Sequence, residues 1–290
     1  MKKFLVSIVF MCSVAQLTMA QITAPAPSPA ATVMQRVGLA DVTVSYSRPS
    51  MKGRKIFGDL LPFDKIWRTG ANSPTKITFS DTVSVEGTKL APGDYALYTI
   101  PGASEWTVII GKNIKAQAQD YKDDQQAARF KVKPQTLCAP VETFTIDFTD
   151  VTLGAANIQL SWETTGVKFK ISNDYDAKVM ADIKQKTENN TTYFQAANYY
   201  YETNRDLKQA LEWINKATEK GGMFYQVHLK AKIQQKMGDC KGAIETANKS
   251  LELAKAAKND DYVKLNEKLI AECQAEAPAQ TPAETKKKKK

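Results

Sequence analysis

Between residues 33 and 169 the apolar side chains recur at every second position, and beyond about residue 174 they recur at every third or fourth. A period of two places alternate side chains on opposite faces of a strand, whereas spacings of three and four line one face of a helix. One chain therefore carries two folding grammars in series, and each must build its own core. Removing an export signal leaves about 270 residues, enough for two such units.

In the first part, Val42, Val44 and Tyr46 alternate with Thr43, Ser45 and Ser47. Ile77, Phe79, Val83 and Val85 follow the same rule, and 95–100 (YALYTI) and 106–110 (WTVII) are β-branched and aromatic. Residues 143–148, 158–162 and 167–171 continue the series. Turn-forming residues lie between these runs: Glu86-Gly87-Thr88, Ala91-Pro92-Gly93-Asp94, Pro101-Gly102-Ala103 and Thr165-Gly166. Short strands joined by tight turns, without crossover helices, predict an antiparallel sandwich or barrel over 33–173. The polar stretch 114–128 (IKAQAQDYKDDQQAA) reads as either a short helix or an exposed loop, placed to cover one end of that sandwich.

The second part predicts helices over 177–186, 192–202, 207–220, 225–237, 241–257 and 261–272. Laying 206–217 (DLKQALEWINKA) over 239–250 (DCKGAIETANKS) matches Asp, Lys, Ala, Glu, Asn and Lys at a period of 33, with Leu211 against Ile244. That period, with alanines where helices cross, resembles tetratricopeptide repeats. Two units and a capping helix around 262–273 account for a helical repeat region over 175–273. Since three repeats are the usual minimum for independent stability, these helices are expected to lean on the β-domain or a partner.

The ends of the chain differ in kind. Lys2 and Lys3, the apolar run 4–14 and Thr18-Met19-Ala20 follow the order of a secretory signal peptide over 1–20, so export to the periplasm or beyond is expected. Gln16 and Thr18 interrupt a run too short to span a bilayer, and Phe10-Met11 before Cys12 is a poor lipid-attachment signal. Residues 21–32 form a Pro/Ala-rich linker, and 274–290 a low-complexity, Lys-rich tail expected to be disordered. Much of the net charge of +9 lies in those ends, in Lys2, Lys3 and Lys286 to Lys290, so no nucleic-acid-binding surface is indicated. Past the signal peptide, Cys138, Cys240 and Cys273 form neither a disulfide framework nor a thiolate metal site; Cys240 and Cys273 pair only if the helices bring them together.

Chemistry is constrained most by the single histidine, His228, which falls in the helical part and reads as a packing or surface residue. The β-domain therefore has no Ser-His-Asp triad, Cys-His pair or His-ligated zinc. Phosphate-cradling and dinucleotide glycine motifs and the nucleophile elbow are missing too, and no cofactor is called for. Asp123 and Asp124 read as a solvated face, and Glu142 and Asp147 have opposite parity on one strand.

The remaining candidate is the stretch 47–72, SRPSMKGRKIFGDLLPFDKIWRTGAN, whose mixture of cations, glycines and large apolar residues fits neither period. Arg48, Arg54 and Arg68 offer planar forks for a carboxylate or phosphate, Lys52 a further cation, Asn72 a donor and acceptor, and Trp67 a flat face. The same residues suit a second role, in which Arg and Asn satisfy loop carbonyls and Trp67, Ile56, Phe57 and Phe63 plug one end of the sandwich. The motifs S-R-P-x-x-K-G-R-x-I-F-G and W-R-T-G-A-N, with the later A-P-G-D-Y-A-L-Y-T-I-P and E-W-T-V-I-I, resemble the exported bacterial family of domain of unknown function 2911 over about residues 30–171. The resemblance implies an exported β-domain and carries no reaction, cofactor or catalytic residue. The reading that follows is a non-enzymatic envelope protein binding a small ligand or an envelope protein. A carboxylate-dependent hydrolase acting on glycan or peptide is the alternative, and a purely structural scaffold the third.

Overall fold

The computed structural model describes residues 24–188 and 192–276. The expected signal peptide and residues 277–290 of the expected tail lie outside them. The chain divides into two compact units, with the break between Tyr175 and Asp176.

The first unit holds ten strands in two sheets, all neighbours antiparallel. They are β1 (Ala30–Val37), β2 (Ala40–Ser47), β3 (Thr75–Phe79), β4 (Val83–Val85), β5 (Thr88–Leu90), β6 (Gly93–Ile100), β7 (Trp106–Gly111), β8 (Gln126–Val132), β9 (Gln135–Thr149) and β10 (Ala155–Ser172). One sheet runs β1-β2-β3-β6-β7-β8 and the other β5-β4-β10-β9. Val42, Val44, Ile77, Leu97, Val108 and Ile110 of the first sheet share one core with Phe144, Ile146, Ile158, Leu160, Trp162, Phe169 and Ile171 of the second. The alternation read in the sequence is thus the inward face of a sandwich.

Three local expectations need correction. Thr165-Gly166 is no turn: β10 runs through it, and the chain bends instead at Glu163, which has φ 55° where the β9–β10 register shifts. A bulge bends a long strand without reversing it. The strand signal also begins earlier than expected, because Ala30 and Ala31 of the expected linker pair with Ser47 and Tyr46. Finally, the polar stretch 114–128 forms two single 3₁₀ turns, Ala118–Asp120 and Asp123–Gln125, before entering β8. It covers a sheet face rather than an end: Tyr121 packs on Tyr98 with ring centroids 5.2 Å apart, beside Ala96 and Ile109 on the side of the sheet away from the main core.

The second unit contains six helices: α1 (Asp176–Glu188), α2 (Tyr193–Glu202), α3 (Leu207–Thr218), α4 (Phe224–Lys236), α5 (Cys240–Ala256) and α6 (Asp260–Glu276). The matched sequence positions take matched roles. Asp206 and Asp239 cap α3 and α5, accepting N–H groups of Lys208 at 2.8 Å and of Gly242 at 2.9 Å. Ala210 and Ala243, which follow, are fully buried. Before the caps, Asn204 (φ 54°) and Gly238 (φ 84°) end α2 and α4, and Arg205 and Asp239 each donate a backbone N–H to the carbonyl five residues back, of Tyr200 and Gln234, both at 2.9 Å. Ala197 and Ala231 stand equally far before these turns, both fully buried.

His228 is buried between α4 and α6. Asn266 donates its amide to Ser250 Oγ at 2.9 Å and Tyr262 O at 2.7 Å, which leaves Oδ1 to accept from His228 Nδ1 at 2.8 Å. Burial, the largest influence, pushes the imidazole below its ordinary pKa; the bond to Asn266 opposes this and nearby Lys232 adds to it. Cys240 and Cys273 are not joined by a disulfide; both lie in an apolar cluster built from Ala231 of α4, Ala243 and Ala247 of α5 and Leu269 of α6.

Candidate functional site

The segment 47–72 leaves the end of β2 and is held by both sheets. Residues 49–51 first extend along β9: Phe144 N donates to Pro49 O and Met51 N to Glu142 O, both at 2.8 Å. Lys52 and Gly53 then turn the chain with φ of 50° and 71°, the Lys52 N–H held by Glu142 Oε1 at 2.9 Å. Farther on, Trp67 and Thr99 exchange both backbone hydrogen bonds, at 2.7 and 2.9 Å, and Asp64 N donates to Pro101 O at 2.8 Å. The loop therefore crosses from an edge of one sheet to β6 of the other, across one end of the sandwich.

Ile56, Phe57 and Trp67 fill the space it crosses, whereas Phe63, expected to join them in the plug, is exposed, as is Leu60. Ile56 is fully buried and Phe57 and Trp67 nearly so. Trp67 stacks on Trp162 (5.9 Å between centroids, 22° between planes) and meets Phe144 edge-on, while Phe57 packs on Trp106 at 4.9 Å. Burying such side chains contributes about 1.5–3 kcal/mol each. The buried Trp67 indole donates to Gly70 O at 3.0 Å, so it has no free face for a ligand. A side chain on Gly70 (φ 155°) would meet Ser47 O and Thr75 Oγ1 at 3.1 Å, which explains the glycine in W-R-T-G-A-N.

Most polar candidates are also engaged by the protein. Arg48 donates Nε to Phe144 O at 3.1 Å and Nη2 to Thr145 Oγ1 at 2.6 Å. The Arg54 fork closes on its own turn, reaching Met51 O and Ser50 O, both at 2.8 Å. The Asn72 amide joins Ser28 O at 3.3 Å and Ser47 Oγ at 3.2 Å. Lys52 is exposed, its ammonium in no ion pair among the described residues. Arg68 is the exception: it is half-buried, and its Nε is shielded from solvent without a hydrogen-bond partner among the described residues. Natural structures pair nearly all such donors, with protein, an ordered water or a bound group.

Sequence reasoning missed the two acids that hold the loop. Glu163 Oε2 accepts the backbone N–H groups of Ile56 at 3.2 Å and Phe57 at 3.4 Å, and Glu142 holds Lys52 as described. No local signal marks Glu163, since its partners lie more than a hundred positions away and its orientation depends on the bulge. Each of these acids is thus tied to the loop backbone through a carboxylate oxygen. Asp123 pairs with Arg129 at 3.1 Å. Among the described residues no group of three or more His, Cys, Asp or Glu side chains is placed to hold a metal ion, and no helix is long and apolar enough to cross a membrane.

The chain matches no curated protein and no solved structure. Residues 28–171 match the model of a family described as protein of unknown function (DUF2911), a span from just before β1 to the penultimate residue of β10. The strands, the closing loop and both acids that hold it fall inside that span, and through this β unit the chain belongs to the DUF2911 family.

Proposed function

We propose that this chain is an exported envelope protein that works by binding, with Arg68 at the centre of its ligand site and the helical unit as a tetratricopeptide-like platform for a protein partner. The observation that carries the first half is the shielded, unpartnered Arg68 Nε. The Nε–Nη2 edges of Arg48 and Arg54 are occupied by the protein itself, so Arg68 is the loop arginine whose Nε edge is left for a carboxylate or phosphate. Exposed Lys52 supplies further positive charge on the same loop. The matched caps and turns of α2–α3 and α4–α5 support the second half, because helix pairs repeated in this way present extended surfaces to other proteins. The signal-peptide pattern of the first twenty residues supports export.

Thermal-shift measurements with inorganic phosphate and a short dicarboxylate test the loop. Stabilisation of the wild-type chain, absent in Arg68→Ala, is expected; equal shifts in both contradict the assignment. Affinity capture from envelope extract with and without residues 176–276 tests the platform. Partners retained only by the full chain are expected, and an identical set in both would remove the helical half of the proposal.

A further inference from the structure

The four outer strands of the two sheets are not alike. β8 carries exposed Arg129 and Lys131 and runs into Lys133-Pro134; β5 has only three residues; β9 contains Pro140 and is paired by residues 49–51. These are the devices that stop sheets from adding further strands. β1 has none of them. Its eight residues, AATVMQRV, pair with β2 in unbroken register, and from Ala30 to Gln35 they include no charge, proline or glycine. The one charge, Arg36, is neutralised within the sheet by Asp41 through two bonds at 2.8 and 2.9 Å.

The core is also left open along this strand. On β2 the inward residues Val42 and Val44 are fully buried, yet Ala31 and Val33 of β1 are only partly so, and Met34 on the outer face is 65% exposed. We propose that β1 is a dimerisation edge, pairing antiparallel with β1 of a second copy to make one continuous sheet. A strand pairs with its own copy about a two-fold axis only in registers that keep each side chain opposite one on the same face. Centred on Val33, that register sets Ala31 against Gln35, Thr32 against Met34 and Arg36 against Ala30. It brings no two cations together and covers the open side of Val33. The contact is closed, since β8, the other edge of this sheet, is protected.

Sedimentation equilibrium on the chain from Gln21 to Lys290, from about 1 to about 100 µM, tests this. The wild-type chain is expected at twice the chain mass at the upper concentrations, and Met34→Leu likewise. Met34→Lys and Thr32→Lys, both at exposed positions, are expected at the mass of one chain with unchanged far-ultraviolet circular dichroism. A wild-type chain that stays monomeric throughout, a dimer that survives both lysine substitutions, or growth past two copies would each overturn the proposal.

Discussion

Glu163 Oε2 lies 3.2 Å from the backbone nitrogen of Ile56, and this contact ties the closing loop to the bulge of β10. Glu163 reaches the loop because its own backbone is left-handed at the point where the β9–β10 register shifts. Removing the carboxylate strands the N–H groups of both Ile56 and Phe57. Glu163→Ala is therefore expected to destabilise the β unit by about 1–3 kcal/mol in urea unfolding followed by tryptophan fluorescence. Glu163→Gln, which keeps an acceptor oxygen, should cost less than half as much. Equal losses for the two substitutions would mean that the contact does not hold the loop.

Trp67 gives a second prediction about the same closure. It touches Trp162 and Phe144 in the core and is bonded to Thr99 through its backbone, so its side chain belongs to the packing. Trp67→Ala should cost about 3–5 kcal/mol, as for other large-to-small changes at buried aromatics. Trp67→Phe keeps much of the contact and should cost less. A Trp67→Ala loss below 1 kcal/mol would show that the loop does not seal the core.

His228 makes the helical unit sensitive to acid. Its folded pKa lies below the ordinary value, so below about pH 6.5 the unfolded chain binds a proton that the folded chain resists. Stability is therefore full above that pH, falls as pH drops through it, and levels off once pH passes below the folded pKa. Circular dichroism melts at 222 nm between pH 7.5 and 5 should show this fall, and His228→Gln should flatten it. The same slope in the substituted chain would assign the effect to another group.

Much of the architecture was legible in the sequence because it rests on local periodicity. Alternation at Val42, Val44 and Tyr46 marks an inward strand face, and Asp206 and Asp239 mark helix starts. Elsewhere a local signal pointed the wrong way. Thr165-Gly166 has turn composition, but Thr165 and Gly166 pair with Thr136 and Gln135 of β9 as ordinary strand residues. The loop's chemistry was the least legible part. Whether Arg48 serves the fold or a ligand depends on acceptors such as Phe144 O, about a hundred positions distant. Loop composition carries no record of that distant strand, nor of the turn that folds the Arg54 fork back onto Ser50 O and Met51 O.

Arg68 decides the central claim. If its unpartnered Nε serves a ligand, Arg68→Ala should melt within about 2 °C of the wild-type chain and lose the stabilisation given by phosphate or a dicarboxylate. Arg68→Lys, which keeps the charge but not the fork, should recover only part of that stabilisation. Melting curves of the three chains with and without the anions are the direct measurement. An Arg68→Ala chain that melts many degrees lower, or one stabilised by the anions as well as the wild type, would contradict the account.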